Sequence, residues 1–382
     1  MTKITPKIMP KIMIIAGEAS GDILAADVMR ELKLSHPNAE FMGVGGTKMT
    51  EERLNSIFPI SELTLMGLTE VLPHIPKLMR RGRELTRIAE QEQPDILLTV
   101  DSPDFTLRVA KKIKRACPNI KAIHYVSPSV WAWRRGRVNK MAKFLDHVLT
   151  LFPFECDFYK HTTLACTHVG HPVVRRLRPY RANPPTENRK LAILPGSRPQ
   201  ECIRHWPTLL TIMQGLAIQD QNLSFVIPIP SLELLDHLPI TDDIKQQTQF
   251  VTHDNRYEAL ATCTAALTKS GTSNLELAVL GIPMVVFYAT GAITAFVAQK
   301  LLNVPYVSPV NWVLGQKSIP EFLQKEFTAE NILKELRPLL MQATARNKQQ
   351  EELQRASLRL QKDVNPAKAA ATVILSYINK LQ

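Results

Sequence analysis

Cysteine is scarce in this chain, and its five cysteines, at positions 117, 156, 166, 202 and 263, form no C-x-x-C pair. That scatter predicts neither a disulfide framework nor a zinc site, and it fits a reduced, cytoplasmic setting. Residues 1–11 carry three lysines but no apolar core ahead of a cleavage site, so no secretory signal is read there. G-x-G-x-x-G is missing, which disfavours a nicotinamide dehydrogenase; so is G-x-x-x-x-G-K-[ST], which disfavours an ATPase. One long stretch, 277–298, lacks charge, but Gly281-Ile282-Pro283 and Thr290-Gly291 interrupt it. It reads as helix end, turn, buried strand, loop and new helix rather than a membrane span. Acidic residues are outnumbered: 35 Asp and Glu stand against 47 Lys and Arg, a formal charge of +12. Such an excess attracts nucleic acid, nucleotide phosphates or an anionic membrane without choosing among them, and a solvated basic surface is the other reading.

What is present suffices for two or three cored domains: 382 residues, 45% of them hydrophobic and 21% charged, which argues against disorder. Short apolar runs alternate with helical patterns, which predicts an α/β protein with parallel sheets. Strands are expected over 11–16, 40–44, 96–100, 120–125 and 147–151, with helices over 22–33, 105–116 and 154–159. The polar, proline-rich segment 178–188 (RPYRANPPTEN) reads as a linker. The pattern then restarts, with strands over 190–194, 225–228, 265–269 and 284–288 and helices over 203–219 and 273–280. The chain after 328 reads as helical, with a charged, solvated helix over 349–362. The expected organisation is an N-terminal domain over 1–178, a C-terminal domain over 189–342, and a helical tail over 343–382 that crosses back to the first domain. Ligands of such halves bind beyond the carboxyl ends of the strands, here in a cleft between the two.

The informative residues follow strands. AGEASGD (16–22) supplies two glycines for a sharp turn close to a ligand; the alternative is a tight turn with Asp22 as helix cap. Asp101, at the end of ILLTV, is placed to take a proton from a hydroxyl, while Asp104 suits a helix cap; the pair is not a D-x-D metal motif. HYVSPSVWAW (124–133) offers Ser127 to sugar oxygens and Trp131 to a sugar face, or else is a core segment, and Arg134, Arg135, Arg137 and Lys140 follow it. Gly196, Ser197 and Arg198 of LPGSR make a candidate diphosphate cradle with Glu201 orienting the arginine, or a surface turn. Ser270, Gly271, Thr272 and Ser273 open a helix with free N–H groups suited to phosphate. Glu276 can accept both hydroxyls of a ribose, or complete a capping box from Ser273. The segment 65–83 sets Leu68, Leu72 and Ile75 beside Lys77, Arg80 and Arg81, which suits an anionic membrane surface or a buried helix with a basic edge.

Together these strings resemble the lipid-A-disaccharide synthase family. AGEASGD, LMGLTEVLP (65–73), VDSPDF (100–105), HYVSPSVWAWR (124–134), LPGSR (194–198), SGTSNLE (270–276), PMVVFY (283–288) and YVSPVNWVLG (306–315) carry the resemblance, in order along nearly the whole chain. Three places depart from it: Val173-Val174-Arg175 after VGHP, where an acid is expected, Pro199-Gln200-Glu201 after PGSR, and Lys269 where a small residue is usual.

The resemblance implies a GT-B fold, two Rossmann-like domains facing across a cleft. It implies UDP-2,3-diacylglucosamine as donor, 2,3-diacylglucosamine 1-phosphate as acceptor, and an inverting transfer giving a β-1,6-linked disaccharide 1-phosphate and UDP. On this reading Asp101 is the base, Arg198 and the loops 196–198 and 270–273 take the diphosphate charge, and Glu276 holds the ribose. Ser308 and Asn311 lie near the donor, and Glu18, Ser20 and Gly21 face the acceptor or reacting sugar. No metal or cofactor is expected, and activity should survive EDTA. The expected location is the cytoplasmic face of the inner membrane, docked through 65–83, with a homodimer as the expected assembly and no nucleic-acid partner. The competing readings are another UDP-N-acetylglucosamine transferase or 2-epimerase, and a non-catalytic basic protein that binds membrane or nucleic acid.

Overall fold

The computed structural model describes residues 9–63, 74–131, 136–181, 189–252, 255–291 and 305–379. The chain divides into two compact units, Met1–Pro172 with Lys362–Gln382, and Val173–Gln361. The division falls after Pro172 rather than in the proline-rich 178–188. The tail is shared out: the helix Ala343–Leu360 packs on the helices Thr272–Leu280 and Pro309–Leu314 of the second unit, whereas Pro366–Ile378 packs on Ala19–Ser35 of the first.

The first unit holds a six-stranded parallel sheet of β1 (Lys11–Ala16), β2 (Glu40–Val44), β3 (Ile96–Val100), β4 (Lys121–Tyr125), β5 (His147–Thr150) and β6 (Ala165–His168), in the order β2-β1-β3-β4-β5-β6. The second repeats the plan with β7 (Lys190–Leu194), β8 (Ser224–Pro228), β9 (Thr248–Val251), β10 (Ala265–Lys269), β11 (Met284–Tyr288) and β12 (Glu321–Leu323), in the order β12-β11-β10-β7-β8-β9. In each sheet the chain leaves its first strand in one direction and later returns to build on the other side. The order therefore reverses between β1 and β3 and between β7 and β10, the points at which open parallel sheets bind ligands.

Alternating side chains explain the layering. Ile12, Ile14 and Ala16 pack with Ala25, Met29 and Ile374, whereas Met13 and Ile15 pack with Leu85, Leu107 and Ile113. The second core gathers Leu191, Ile193, Trp206, Phe225, Val285 and Leu336. The strands missed in the sequence, β6, β9 and β12, are short and only partly covered. Residues 154–159 form a 3-10 turn, Glu155–Phe158, rather than an α-helix. The uncharged stretch turns at Gly281, whose φ is +79°, and runs into β11. Among the described residues no helix is long and apolar enough to cross a membrane.

Two local expectations are corrected. Asp22 does not cap its own helix: it lies in the first turn of Ala19–Ser35 and accepts from the backbone N–H groups of Gly46 (2.7 Å), Lys48 (2.9 Å) and Met49 (3.1 Å), so it caps the helix Thr47–Glu51. Cys156 and Cys166 form a disulfide with Cα atoms 5.6 Å apart, because the turn Glu155–Phe158 lies against β6. Cys117, Cys202 and Cys263 are free and buried.

Glu155 is buried in the first unit, accepting from Phe152 N (3.1 Å) and Trp131 Nε1 (3.3 Å). Burial pushes its carboxyl up to about 8, although those N–H groups favour the charged form. A carboxyl raised by folding stabilises fully below the ordinary glutamate range and loses that contribution as pH rises through its folded value. Thermal melts should therefore show Tm falling between about pH 5 and about pH 8, with Glu155→Gln flattening that fall. Equal slopes for the two proteins would show that Glu155 is charged in the fold.

Candidate functional site

The crevice between β7 and β10 holds a cavity of about 330 Å³. Gly196 and Ser197 line it from the β7 loop, Pro228, Ile229 and Pro230 from the end of β8, Arg256 from the helix Arg256–Ala261, and Lys269 with Ser270, Gly271, Thr272 and Ser273 from β10 and its loop. Two helices begin here, Pro199–Ala217 after Arg198 and Thr272–Leu280 after Gly271. Their free first-turn N–H groups and dipoles favour an anion. Gly196 is required: its φ is +143°, and a Cβ there would meet Glu201 Oε2 at 2.8 Å. Buried His205 anchors the loop through Nδ1 to the Pro195 carbonyl, 2.6 Å away. Arg198 is exposed; its carbonyl accepts from Glu201 N and Cys202 N, and its guanidinium makes no hydrogen bond or ion pair among the described residues. Glu201, expected to orient Arg198, instead bonds Lys269, with Nζ donating to Oε1 at 2.7 Å.

Glu276 is buried one turn into Thr272–Leu280. Its Oε1 accepts from Arg256 Nη2 (2.7 Å), Tyr257 OH (2.8 Å) and Arg176 Nη2 (3.0 Å), while Oε2 accepts nothing among the described residues. The Gly271 N–H is capped by Asn274 Oδ1 at 3.2 Å, so the expected box between Ser273 and Glu276 does not form. Ser270 Oγ donates to the Val307 carbonyl at 2.6 Å, leaving its loop's backbone towards the cavity.

Ser308 and Asn311, expected beside the donor, are internal. Ser308 Oγ caps the helix Pro309–Leu314 by accepting from Val310 N. Asn311 donates to Ile319 O and Glu321 Oε1 and accepts from Ser318 N and Ile319 N, which uses its amide fully inside the fold.

In the first unit the β1 and β3 loops interlock. Asp101 accepts from Ser20 Oγ (3.0 Å) through Oδ2 and from Ser102 N (2.8 Å) through Oδ1, and Glu18 Oε1 accepts from Ser102 Oγ (3.0 Å). A Cβ at Gly17 would meet Ser102 Cβ at 2.3 Å, and one at Gly21 would meet the Val100 carbonyl at 3.1 Å. Backbone strain gathers at these strand ends: φ is +56° at Asp101, +44° at Ser102 and +76° at β-branched Val126. Glu18 and Ser20 are exposed and Asp101 half-exposed. Asp104 pairs with Arg137 rather than capping a helix.

Ser127 is buried, sharing a hydrogen bond with Tyr159 OH at 2.7 Å and donating to the Pro128 carbonyl. Trp131 is half-buried, with its indole N–H on Glu155 and its ring edge-on to Phe154. Arg134 and Arg135 lie outside the described residues, as do Leu68 and Leu72. The helix Ile75–Glu92 exposes Ile75, Met79 and Arg80 at its start. Arg81 is already neutralised: it grips Glu62 through Nε (2.8 Å) and Nη2 (2.9 Å) and bonds Glu84 (2.7 Å), with Lys77 3.4 Å from the same Glu62. The Arg81 hydrogen bonds hold the Glu62 carboxyl down at about 2.

The sequence reading did not single out Arg256 or Tyr257, and treated Lys269 only as a departure. The available signal was Lys269's place as the last residue of a buried strand before a small-residue loop. Among the described residues no three His, Cys, Asp or Glu side chains gather as a metal site.

The lipid-A-disaccharide synthetase family model matches residues 12–375. The lipid-A-disaccharide synthase of Rhodopseudomonas palustris is 40% identical over 361 residues, covering 91% of this chain and 90% of that one. That of Rhodospirillum centenum is 36% identical, covering 97% and 95%. Among solved structures, the Neisseria meningitidis UDP-GlcNAc 2-epimerase bound to UDP-GlcNAc aligns at TM-score 0.57 and 14% identity, covering 97% of this chain and all (100%) of that one. The lipopolysaccharide outer core galactosyltransferase WaaB aligns at TM-score 0.55 and 12% identity, covering 96% and 99%. At such identities these two share the fold, GT-B-like. The chain belongs to the lipid-A-disaccharide synthase family, glycosyltransferases of lipid A biosynthesis.

Proposed function

We propose that the chain transfers a 2,3-diacylglucosamine unit from UDP to the 6-hydroxyl of 2,3-diacylglucosamine 1-phosphate, with inversion at the anomeric carbon. The observation that carries this reading is the β7/β10 cavity, whose helix N-termini and basic side chains suit a diphosphate. The acceptor oxygen attacks, the bond from the anomeric carbon to the diphosphate oxygen breaks, and the hydroxyl proton passes to Asp101. Ser20 and the Ser102 amide aim that carboxylate. Arg198, whose guanidinium makes no hydrogen bond among the described residues, meets the charge growing on the leaving UDP. Glu276 keeps Oε2 for a ribose hydroxyl. Glu18 and Ser20 serve the acceptor side. Ser127 and Trp131 support that side from below, their polar groups being bonded within the unit.

Both lipid substrates belong to a membrane, and we place the enzyme on the cytoplasmic leaflet. Exposed Ile75 and Met79 enter the surface with Arg80 on anionic headgroups. Arg81, locked by Glu62 and Glu84, holds the helix in place.

Incubation with the diacylated donor and acceptor should yield disaccharide 1-phosphate and UDP by mass spectrometry; turnover of unacylated UDP-N-acetylglucosamine in their place would overturn the substrate assignment. Asp101→Asn should lower kcat by about 10²–10⁴-fold, and near-normal turnover would remove it as the base. Arg198→Ala should depress kcat and kcat/KM together, whereas a rise in KM alone would make it a uniform-binding residue. Ile75→Ser with Met79→Ser should weaken sedimentation with anionic phospholipid vesicles while Arg81→Ala lowers Tm instead; the reverse pattern would refute the docking face.

A further inference from the structure

Lys269 and Glu201 come from opposite sides of the β7/β10 reversal. Lys269 is the last residue of β10, and Glu201 lies in the first turn of Pro199–Ala217, the helix after β7. Both are largely buried, at 19% and 18% side-chain exposure, and Nζ stands 2.7 Å from Oε1. Isolated, such a pair would be a simple neutral staple across the sheet. Two further observations say otherwise. Lys269 lines the cavity together with Gly196, Ser197 and Ser270 to Ser273. An ammonium also carries three N–H donors, and Glu201 takes one of them; the Tyr288 ring lies 5.9 Å from Nζ, and no other hydrogen-bond acceptor engages it among the described residues.

We infer that Lys269 is a second side-chain cation for the donor's diphosphate, and that Glu201 is the positioning residue that pins its ammonium to the cavity wall. This rests on the reading that the cavity receives a nucleoside diphosphate. The tether limits where Nζ can go: a free lysine would swing into solvent, whereas one bonded at Oε1 keeps its remaining donors beside the loop amides. Glu201 stays charged in this role. Burial pushes its carboxyl up, but the Lys269 hydrogen bond, the Lys269 and Arg198 charges and the nearby Ser197 amide outweigh that and hold it below the usual range. The arrangement has a built-in liability. If the ammonium is removed, a largely buried carboxylate faces the phosphates unshielded, so loss of Lys269 alone should cost more than loss of the whole charged pair.

The test is equilibrium binding of UDP and of uridine to the intact protein, with Tm measured alongside. Lys269→Met keeps the aliphatic stem and should weaken UDP by about ten- to a hundredfold while leaving uridine unchanged. Lys269→Met with Glu201→Gln removes both charges at nearly constant volume, and should recover part of the UDP affinity. It also guards against a fold lost through the unpaired glutamate. If the unaltered protein does not bind UDP, the reading of the cavity falls and this inference with it. If it binds UDP and Lys269→Met binds equally well, only the inference falls. Equal losses for UDP and uridine would make the pair a structural staple, and a double variant no better than Lys269→Met would remove Glu201 from the positioning role.

Discussion

A parallel sheet that grows first to one side of its starting strand and then to the other reverses its order there, and the loops leaving the two strands meet at that point. Both units carry such a reversal, at β1/β3 and at β7/β10. The loops there pass close to one another. Gly17 touches Ser102, Gly21 sits under the Val100 carbonyl, and Gly196 leaves room for Glu201. A side chain at any of them would force apart loops whose contact sets the site. The same crowding holds Asp101 and Ser102 in left-handed conformations worth about 1–3 kcal/mol of strain each. Such strain persists because buried strands on both sides determine the loop.

The two reversals carry opposite chemistry. Glu18 and Asp101 bring carboxylates and hydroxyl partners to the first. The second collects Lys269, Arg256 and two helix N-termini, with Arg198 beside them, a setting that favours anions. In the proposed displacement a proton leaves one reactant while charge accumulates on the other's leaving group, and each setting suits one of those changes. The formal +12 is thus partly local. Some of it is silent: Arg81 and Lys77 are held by Glu62 and do not form a free basic patch.

Much of this was legible in the chain. The central strands are buried apolar runs, and a turn of small residues after each marks a ligand-facing loop. That rule, together with the family resemblance, singled out Asp101 and Arg198, which lie directly after β3 and in the loop after β7. What stayed hidden depends on distant partners. Asp22 caps a helix whose N-cap residue, Gly46, lies 24 residues later in the chain, and no local spacing announces it. Ser273 and Glu276 have the spacing of a capping box, yet the helix begins at Thr272, so Ser273 lies inside it and Asn274 caps the Gly271 N–H while Arg256 and Tyr257 bond Glu276. Edge strands such as Thr248–Val251 are half-exposed and lack the apolar signature.

Ser308 and Asn311 are fully buried, and their polar groups act inside the fold. Asn311 Nδ2 donates to Glu321 Oε1, and the two Glu321 oxygens accept from Ser308 N and Val307 N. The Val307 carbonyl then accepts from Ser270 Oγ. One buried network therefore runs from the amide of Asn311 to the first residue of the cavity-lining loop. Every member is satisfied within the fold, which makes the network rigid rather than costly. With its hydroxyl on Val307, its N–H on the Phe287 carbonyl and the Gly271 N–H on Asn274 Oδ1, the loop at Ser270 is fixed from three sides. On the proposed function, a loop held this way is oriented in advance and does not reorganise as charge develops on the leaving group.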